Sequence, residues 1–374
     1  MRVVIASKIL VVAAYRHKLD EIAAQPGIDR LVAVTGPSWR EPGGRLLTLE
    51  PAPAENYELR VEPIRFNGSY HLFHWRHLGR IFEQVRPDVV HLDEEPYNLA
   101  TALGVRAARK VGAQIVFFTW QNLLRRYPPP FNLFERLTYR ASSHAIAGNA
   151  EAVEVLRAKG YRGPTSVIPQ FGVDPELFSP GPRSAACPTI GFIARLVEEK
   201  GVFVLLAALA GLPGEWRLHV VGSGPLKLRA QQRAAALGLA DRIAWEPGLA
   251  STEIPNRMRQ FTVLVQPSLT RRNWKEQFGR AVMEAMACGI PVIGSDSGEV
   301  PHVLGDAGLV VREADPAALR AALEKLLHDP ALCTELGQRG RARVLECFTH
   351  QRIAEQTVRV YRAALDARVN ATIV

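Results

Sequence analysis

Three short stretches hold the residues best able to do chemistry. In "GFIARLVEEKGV", 191–202, a strand-like run gives way to a turn carrying Arg195 and Lys200, then to a helix-like run. A planar Arg fork and a Lys point charge on one loop can converge on a diphosphate. The N-terminus of the next helix adds free backbone N–H donors. Two solvated surface cations beside Glu198 and Glu199 is the alternative. In "VVGSGPLK", 220–227, Gly222 and Gly224 flank a tight turn after a strand, where a ligand can approach backbone closely. In "KEQFGRAVMEAMACGIPVIGSDSGE", 275–299, an almost wholly apolar helix is expected from Phe278 to Cys288. It has Glu284 at its centre and Glu276 just before it. Gly279 opens it and exposes N–H groups that can bind an anion. A buried Glu284 needs an Arg, backbone amides or a pair of ribose hydroxyls as partner. Glu276, near the anion site, can accept from a sugar hydroxyl. Cations, a glycine turn and two carboxylates on three strand-to-helix loops fit a nucleotide-diphosphate sugar.

The elements that must position them alternate. Strand candidates are Val3–Ala6, Leu31–Thr35, Val89–Leu92, Ile115–Thr119, Ala145–Ala147 and Ser166–Pro169, with helical patterns such as 97–111 and 151–159 between them. Short Val/Ile-rich runs alternating with helices predict a parallel α/β sheet. "FSPGPRSAACP", 178–188, breaks the alternation and reads as a linker. It separates a first domain, 1–177, from a second, 189–350, where the alternation restarts. Ligands of such sheets sit beyond the carboxyl ends of the strands. The segment 351–374 spaces Ile353, Val358, Val360, Tyr361, Ala364 and Leu365 as an amphipathic helix that needs a surface to cover.

The second half resembles the C-terminal domain of glycosyltransferase family 4. The matching pieces are "ARLVEEKG", "VVGSGP", "EQFGRAVMEAMACGIPVIGSDSGEVPHV" and "DAGLVV", in the family's order. Glu276 and Glu284 stand as its E-x7-E pair. "VIPQFGVDPELFSP", "RPDVVHLDEEP" and "VFFTWQNL" extend the likeness through the first half. The resemblance implies the GT-B fold: two Rossmann-like domains facing each other across a cleft, with the C-terminal helix crossing back to the first. It implies a retaining, metal-independent hexosyltransferase that uses a nucleotide-diphosphate sugar and no other cofactor. Arg195 and Lys200 would then hold the diphosphate, Gln277, Phe278 and Gly279 the distal phosphate and sugar, Glu276 the sugar hydroxyls and Glu284 the ribose.

Two departures stand out. "SKILVVAAYRHK" replaces the Gly-Gly loop usual after the first strand, and Gln121 stands where a His is usual. A catalytically weak sugar-binding module and a GT-B epimerase are the alternatives. His91, Glu94 and Glu95 in "HLDEEP", with Gln121 and Asn122, are candidates to orient an acceptor or sugar; an ordinary polar loop is the competing reading.

The chain has 374 residues and a net charge of +9, a balance that favours phosphate-bearing partners. Its cations are spread along the chain and no nucleic-acid motif appears. Its four cysteines form no CxxC, and neither a secretory leader nor a membrane span is expected. A cytoplasmic location follows. Arginines interleave with aromatics at 122–140, a pattern that suits an anionic membrane surface. The stretch 70–86 reads as a similar helix, although Leu78, Ile81, Phe82 and Val85 are spaced for a core.

Overall fold

The computed structural model describes residues 1–41, 44–182 and 187–373, with 368–373 given by backbone alone. Residues 183–186 of the predicted linker and residue 374 lie outside the described residues. The chain divides into two compact units: Met1–Gly172 with His350–Val374, and Val173–Thr349.

The first unit holds a seven-stranded parallel sheet. Across it run Thr165–Val167, His144–Ala147, Gln114–Thr119, Val89–Leu92, Arg2–Ala6, Arg30–Thr35 and Glu58–Val61. Numbered along the chain and read from the Glu58–Val61 edge, that order is third, second, first, fourth and onward. The order reverses between Arg2–Ala6 and Val89–Leu92, whose register pairs Ala6 with Leu92. Both strands are apolar and buried, apart from the exposed Arg2 and the polar but buried His91, because both faces of the sheet are covered. Val3 and Ile5 point into one core, Val4 and Ala6 into the other, as the two-residue period of a strand requires. The helix His350–Ile373 supplies Ile353, Ala354, Val358, Val360, Tyr361 and Ala364 to the first of these cores.

The second unit repeats the plan with six parallel strands: Ile243–Glu246, Arg217–Val221, Thr189–Ile193, Val263–Gln266, Val292–Ser295 and Leu309–Val311. Here the order reverses between Thr189–Ile193 and Val263–Gln266. Such reversals open the crevices in which doubly wound sheets bind ligands.

The expected helix over 70–86 is confined to Leu78–Val85. Residues His74–Trp75 instead pair with Ile64–Arg65 as a small antiparallel ladder. Leu78, Ile81, Phe82 and Val85 are buried, and so are Phe73 and Trp75. Most of the stretch is core: of its aromatics Phe73, Trp75 and Phe82 are buried, while Tyr70 stands 41% exposed. The helix expected over Phe278–Cys288 runs Arg280–Ala287. Gly279 holds a left-handed φ of 80° at its N-cap, which a continuing helix does not permit. Among the described residues no helix is long and apolar enough to cross a membrane.

Candidate functional site

In the second unit, the loop leaving Thr189–Ile193 is knitted by backbone to the loops leaving Arg217–Val221 and Val263–Gln266, its neighbours on either side. Leu196 N–H donates to Ser223 O at 3.0 Å, Leu226 N–H to Leu196 O at 3.1 Å and Leu269 N–H to Glu199 O at 2.8 Å. A Cβ on Gly222 would lie 1.9 Å from Ala194 O, and one on Gly224 2.4 Å from Leu196 O. The close approach that these glycines permit is therefore to the neighbouring loop.

Lys200 closes a single 3-10 turn, Glu198–Lys200. Gly201 follows in a left-handed conformation, φ 72°, and opens the helix Val202–Leu209. Lys200 Nζ donates to Glu276 Oε2 at 2.6 Å and lies 4.7 Å from the centre of the Trp274 ring. The same carboxylate oxygen accepts from Ser268 Oγ at 2.8 Å and from Gln266 Nε2 at 3.3 Å. The backbone of Glu276 is pinned too, because Glu299 N–H donates to its carbonyl at 3.1 Å. Glu276 is only 6% exposed and charged, and three donors make that burial tolerable. Arg195, on the same loop as Lys200, is exposed. Gln277 is exposed, whereas Phe278 is buried with its ring 5.7 Å from that of Phe348.

Glu284 is buried, as its place in an apolar helix predicted, and Arg280 Nη2 donates to its Oε1 at 2.9 Å one turn earlier. Of the partners open to it, the structure supplies the Arg. The arrangement is a cation and a pinned carboxylate at a strand-order reversal, beside the N-terminus of a helix. It can take an anion and a hydroxyl-bearing group side by side.

In the first unit, the polar residues at the end of Val89–Leu92 also meet partners from the strand beside it. Glu94 accepts from Lys8 Nζ, and its Oε1 from the Lys8 backbone N–H at 2.9 Å. Lys8 is ringed by Trp39, Tyr70 and Phe73 at 5.0–5.5 Å. Asp93 accepts from Lys18 Nζ at 3.2 Å and Gln170 Nε2 at 3.0 Å. His91, 4% exposed, meets Tyr361 Oη through Nδ1 at 2.8 Å. Its polar atoms face the interior, and burial pushes its pKa down to about 4. Glu95, partly exposed, accepts from Thr119 Oγ1 at 2.6 Å and the Trp120 N–H at 2.8 Å. Burial of its carboxyl pushes it up to about 7. Gln121 donates through Nε2 to Leu123 O at 3.1 Å and accepts from Lys159 Nζ at 3.0 Å. Asn122 donates to Glu151 Oε2 at 3.2 Å. The five candidates lie at the ends of two adjacent strands, and each is engaged within the fold.

Sequence reasoning missed Ser268, Gln266 and Trp274, which hold Glu276 and Lys200, as well as Lys8 and Lys18. The polar residues at the end of the apolar run 263–267 were the available signal for the first two.

Two family models match in succession. Residues 25–177 match "Glycosyltransferase Family 4" and residues 176–343 match "Glycosyl transferases group 1". The chain belongs to glycosyltransferase family 4. Among curated relatives, it is 33% identical over 253 residues to a D-inositol 3-phosphate glycosyltransferase of Streptomyces avermitilis, covering 61% of this chain and 53% of that protein. It is 31% identical over 254 residues to an MMP alpha-(1->4)-mannosyltransferase of Mycolicibacterium hassiacum, covering 67% and 60%. The matches thus span little more than half the length of these relatives. Among solved structures, the Anabaena protein Alr3699/HepE, determined in complex with UDP, superposes with a TM-score of 0.74 at 18% identity over 97% of this chain and 100% of that one. This likeness establishes the GT-B fold of this family-4 chain.

Proposed function

We propose that the chain is a retaining glycosyltransferase, moving a hexose from a nucleotide-diphosphate sugar to a glycan, lipid or polyprenyl-linked acceptor. The observation that carries this reading is the 2.6 Å contact of Lys200 with Glu276, made at the strand-order reversal beside the helix N-terminus at Gly279. The relatives' names and the UDP bound by the Anabaena protein support it.

In this reading the pair is the resting arrangement of the donor site. When the diphosphate arrives, Lys200 turns from the carboxylate to phosphate, joined by Arg195. Glu276, still held by Ser268 and Gln266, then accepts from the sugar hydroxyls. The backbone of 277–279 meets the distal phosphate. Glu284 keeps Arg280 on Oε1 and turns its other oxygen to the ribose. Charge on the departing nucleoside diphosphate is met by fixed cations and N–H dipoles, which removes the need for a metal. Gly222 and Gly224 shape the loop on which Arg195 stands. Glu95 is the better placed acceptor-side candidate, because it keeps some exposure while His91, Glu94, Gln121 and Asn122 are buried. The partner surface is an anionic membrane, met from the cytoplasmic side.

Nucleotide sugars carrying UDP, GDP or ADP are first ranked by the rise in melting temperature they cause. Product is then followed by mass spectrometry with the donor selected. Lys200→Ala and Glu276→Ala should each lower turnover by roughly 100- to 1000-fold, the scale of losing one preorganised group, with an unchanged circular-dichroism spectrum. Near-normal turnover in both variants would sink the proposal.

A further inference from the structure

The first unit carries a second, separate concentration of chemistry. Between residues 96 and 143 the chain holds Arg106, Arg109 and Lys110, then Arg125 and Arg126, then Arg136 and Arg140. Its only acid there is Glu135, which is buried and paired with Lys159 at 2.5 Å. The segment therefore shows solvent cations without a counter-charge of its own.

Two helices gather them. Leu99–Lys110 packs against Phe131–Ala141. Between them lies a pocket of about 660 Å³ lined by Arg109, Leu133, Arg136, Leu137, Arg140 and Ala141. On the second helix the lining residues recur at three- and four-residue steps, so they form one stripe. Leu137 and Ala141 pack on the core, while Leu133 stands 53% exposed at the rim. Arg109, Arg136 and Arg140 are exposed, and among the described residues none makes an ion pair or side-chain hydrogen bond. The aromatics of the stretch point the other way: Tyr139 packs on Phe117 and Tyr161, and Phe131 on His71. Leu124, in the loop before the helix, is 58% exposed.

We propose that this face docks on an anionic phospholipid bilayer, with a lipid phosphate between Arg109, Arg136 and Arg140 and an acyl chain against Leu133 and Leu137. Guanidinium groups match phosphate oxygens bidentately. Exposed leucines beside cations are the composition of a surface that sits in the headgroup layer. A soluble anion would use the arginines and leave Leu133 facing water without gain. The inference deepens the membrane contact named above and fixes its place.

Vesicle flotation tests it without donor or acceptor, so its failure leaves the transferase reading standing. The protein should float with phosphatidylglycerol vesicles and stay behind with phosphatidylcholine alone. The triple variant Arg109→Ala, Arg136→Ala, Arg140→Ala should lose roughly a hundredfold in partitioning, from the contribution of each cation near an anionic surface. A matched triple in the second unit, Arg229→Ala, Arg233→Ala, Lys325→Ala, should lose no more than the small share owed to net charge. Leu133→Asp should weaken vesicle binding, and its melting temperature reports whether the fold survives. Three outcomes overturn the proposal: no flotation of the native protein, equal losses in the two triples, or displacement from vesicles by glycerol phosphate at matched phosphate concentration, which would make the pocket a free-anion site.

Discussion

The two units share one winding order and differ at the point where it reverses. In the second unit, the reversal is built from loops in close backbone contact, with Gly201, Gly222 and Gly224 where a side chain would collide. It presents one cation and one carboxylate, with Lys200 partly open to solvent. In the first unit, the same place is filled. Lys8 stands straight after the first strand, and its side chain, with those of Lys18, Asp93 and Glu94, is no more than 10% exposed. A charged pair at the rim can exchange its partner for a ligand. A pair sealed in the core serves the fold, because parting it leaves a buried charge. One topology thus yields a site in one unit and a structural clasp in the other. The residue types at the first strand's exit decide which.

Variants can break this comparison or sharpen it. Glu94→Ala should cost about 3–5 kcal/mol by stranding Lys8, read from urea unfolding, while Glu276→Ala should cost less, because Lys200 is partly open and can turn to solvent, and loses turnover instead. The double variant Lys8→Met, Glu94→Leu should recover most of the first loss. If Glu94→Ala left stability unchanged, the clasp would be no clasp. Next in size, Gly201→Ala would place a Cβ 1.8 Å from Pro267 O. Its backbone strain alone is about 1–3 kcal/mol, measured as a lower melting temperature with weaker donor binding.

The smallest effect is in pH. His91 is held near 4 and so stays neutral in the folded chain while the unfolded chain protonates; its contribution to stability is lost as pH falls from about 6.5 to about 4. Glu95 is held near 7, so it stays protonated when folded; its contribution is lost as pH rises from about 4.5 to about 7. The two slopes oppose each other, each about 3 kcal/mol in full, so that little net change is left in the native chain. His91→Gln should therefore gain stability on acidification, and Glu95→Gln should lose it. Parallel pH–stability curves for the two variants would refute the assignment.

Most of the architecture was legible because buried parallel strands are continuous apolar runs. The six strands expected in the first domain all formed, with ends shifted by no more than two residues. The helix 350–373 was legible from its spacing, and its named apolar residues enter the core. The strand Glu58–Val61 was not, since it lies at the sheet's edge, where Glu58 pairs with Arg30 and Arg60 and hydrophobic content is low. At the candidate site, Glu276 and Glu284 could be singled out by a charge in an apolar helix. The partner of Glu284 lay four residues away and was within reach of reasoning. The partners of Glu94 and Asp93 are 86 and 75 residues away in a loop that reads as apolar, and only the sheet brings them together.

The placement of the helix His350–Ile373 has a consequence for the order in which the protein can be made. Val173–Thr349 is one uninterrupted stretch and can close its own core once it has left the ribosome. The first unit cannot. Its sheet emerges first, but the core that Val3 and Ile5 share with Leu10, Leu19 and Ile22 is completed only when Ile353, Val358 and Tyr361 arrive. The half of the molecule synthesised first is thus completed last, with the core around Val3 and Ile5 left partly open while the whole second unit is translated.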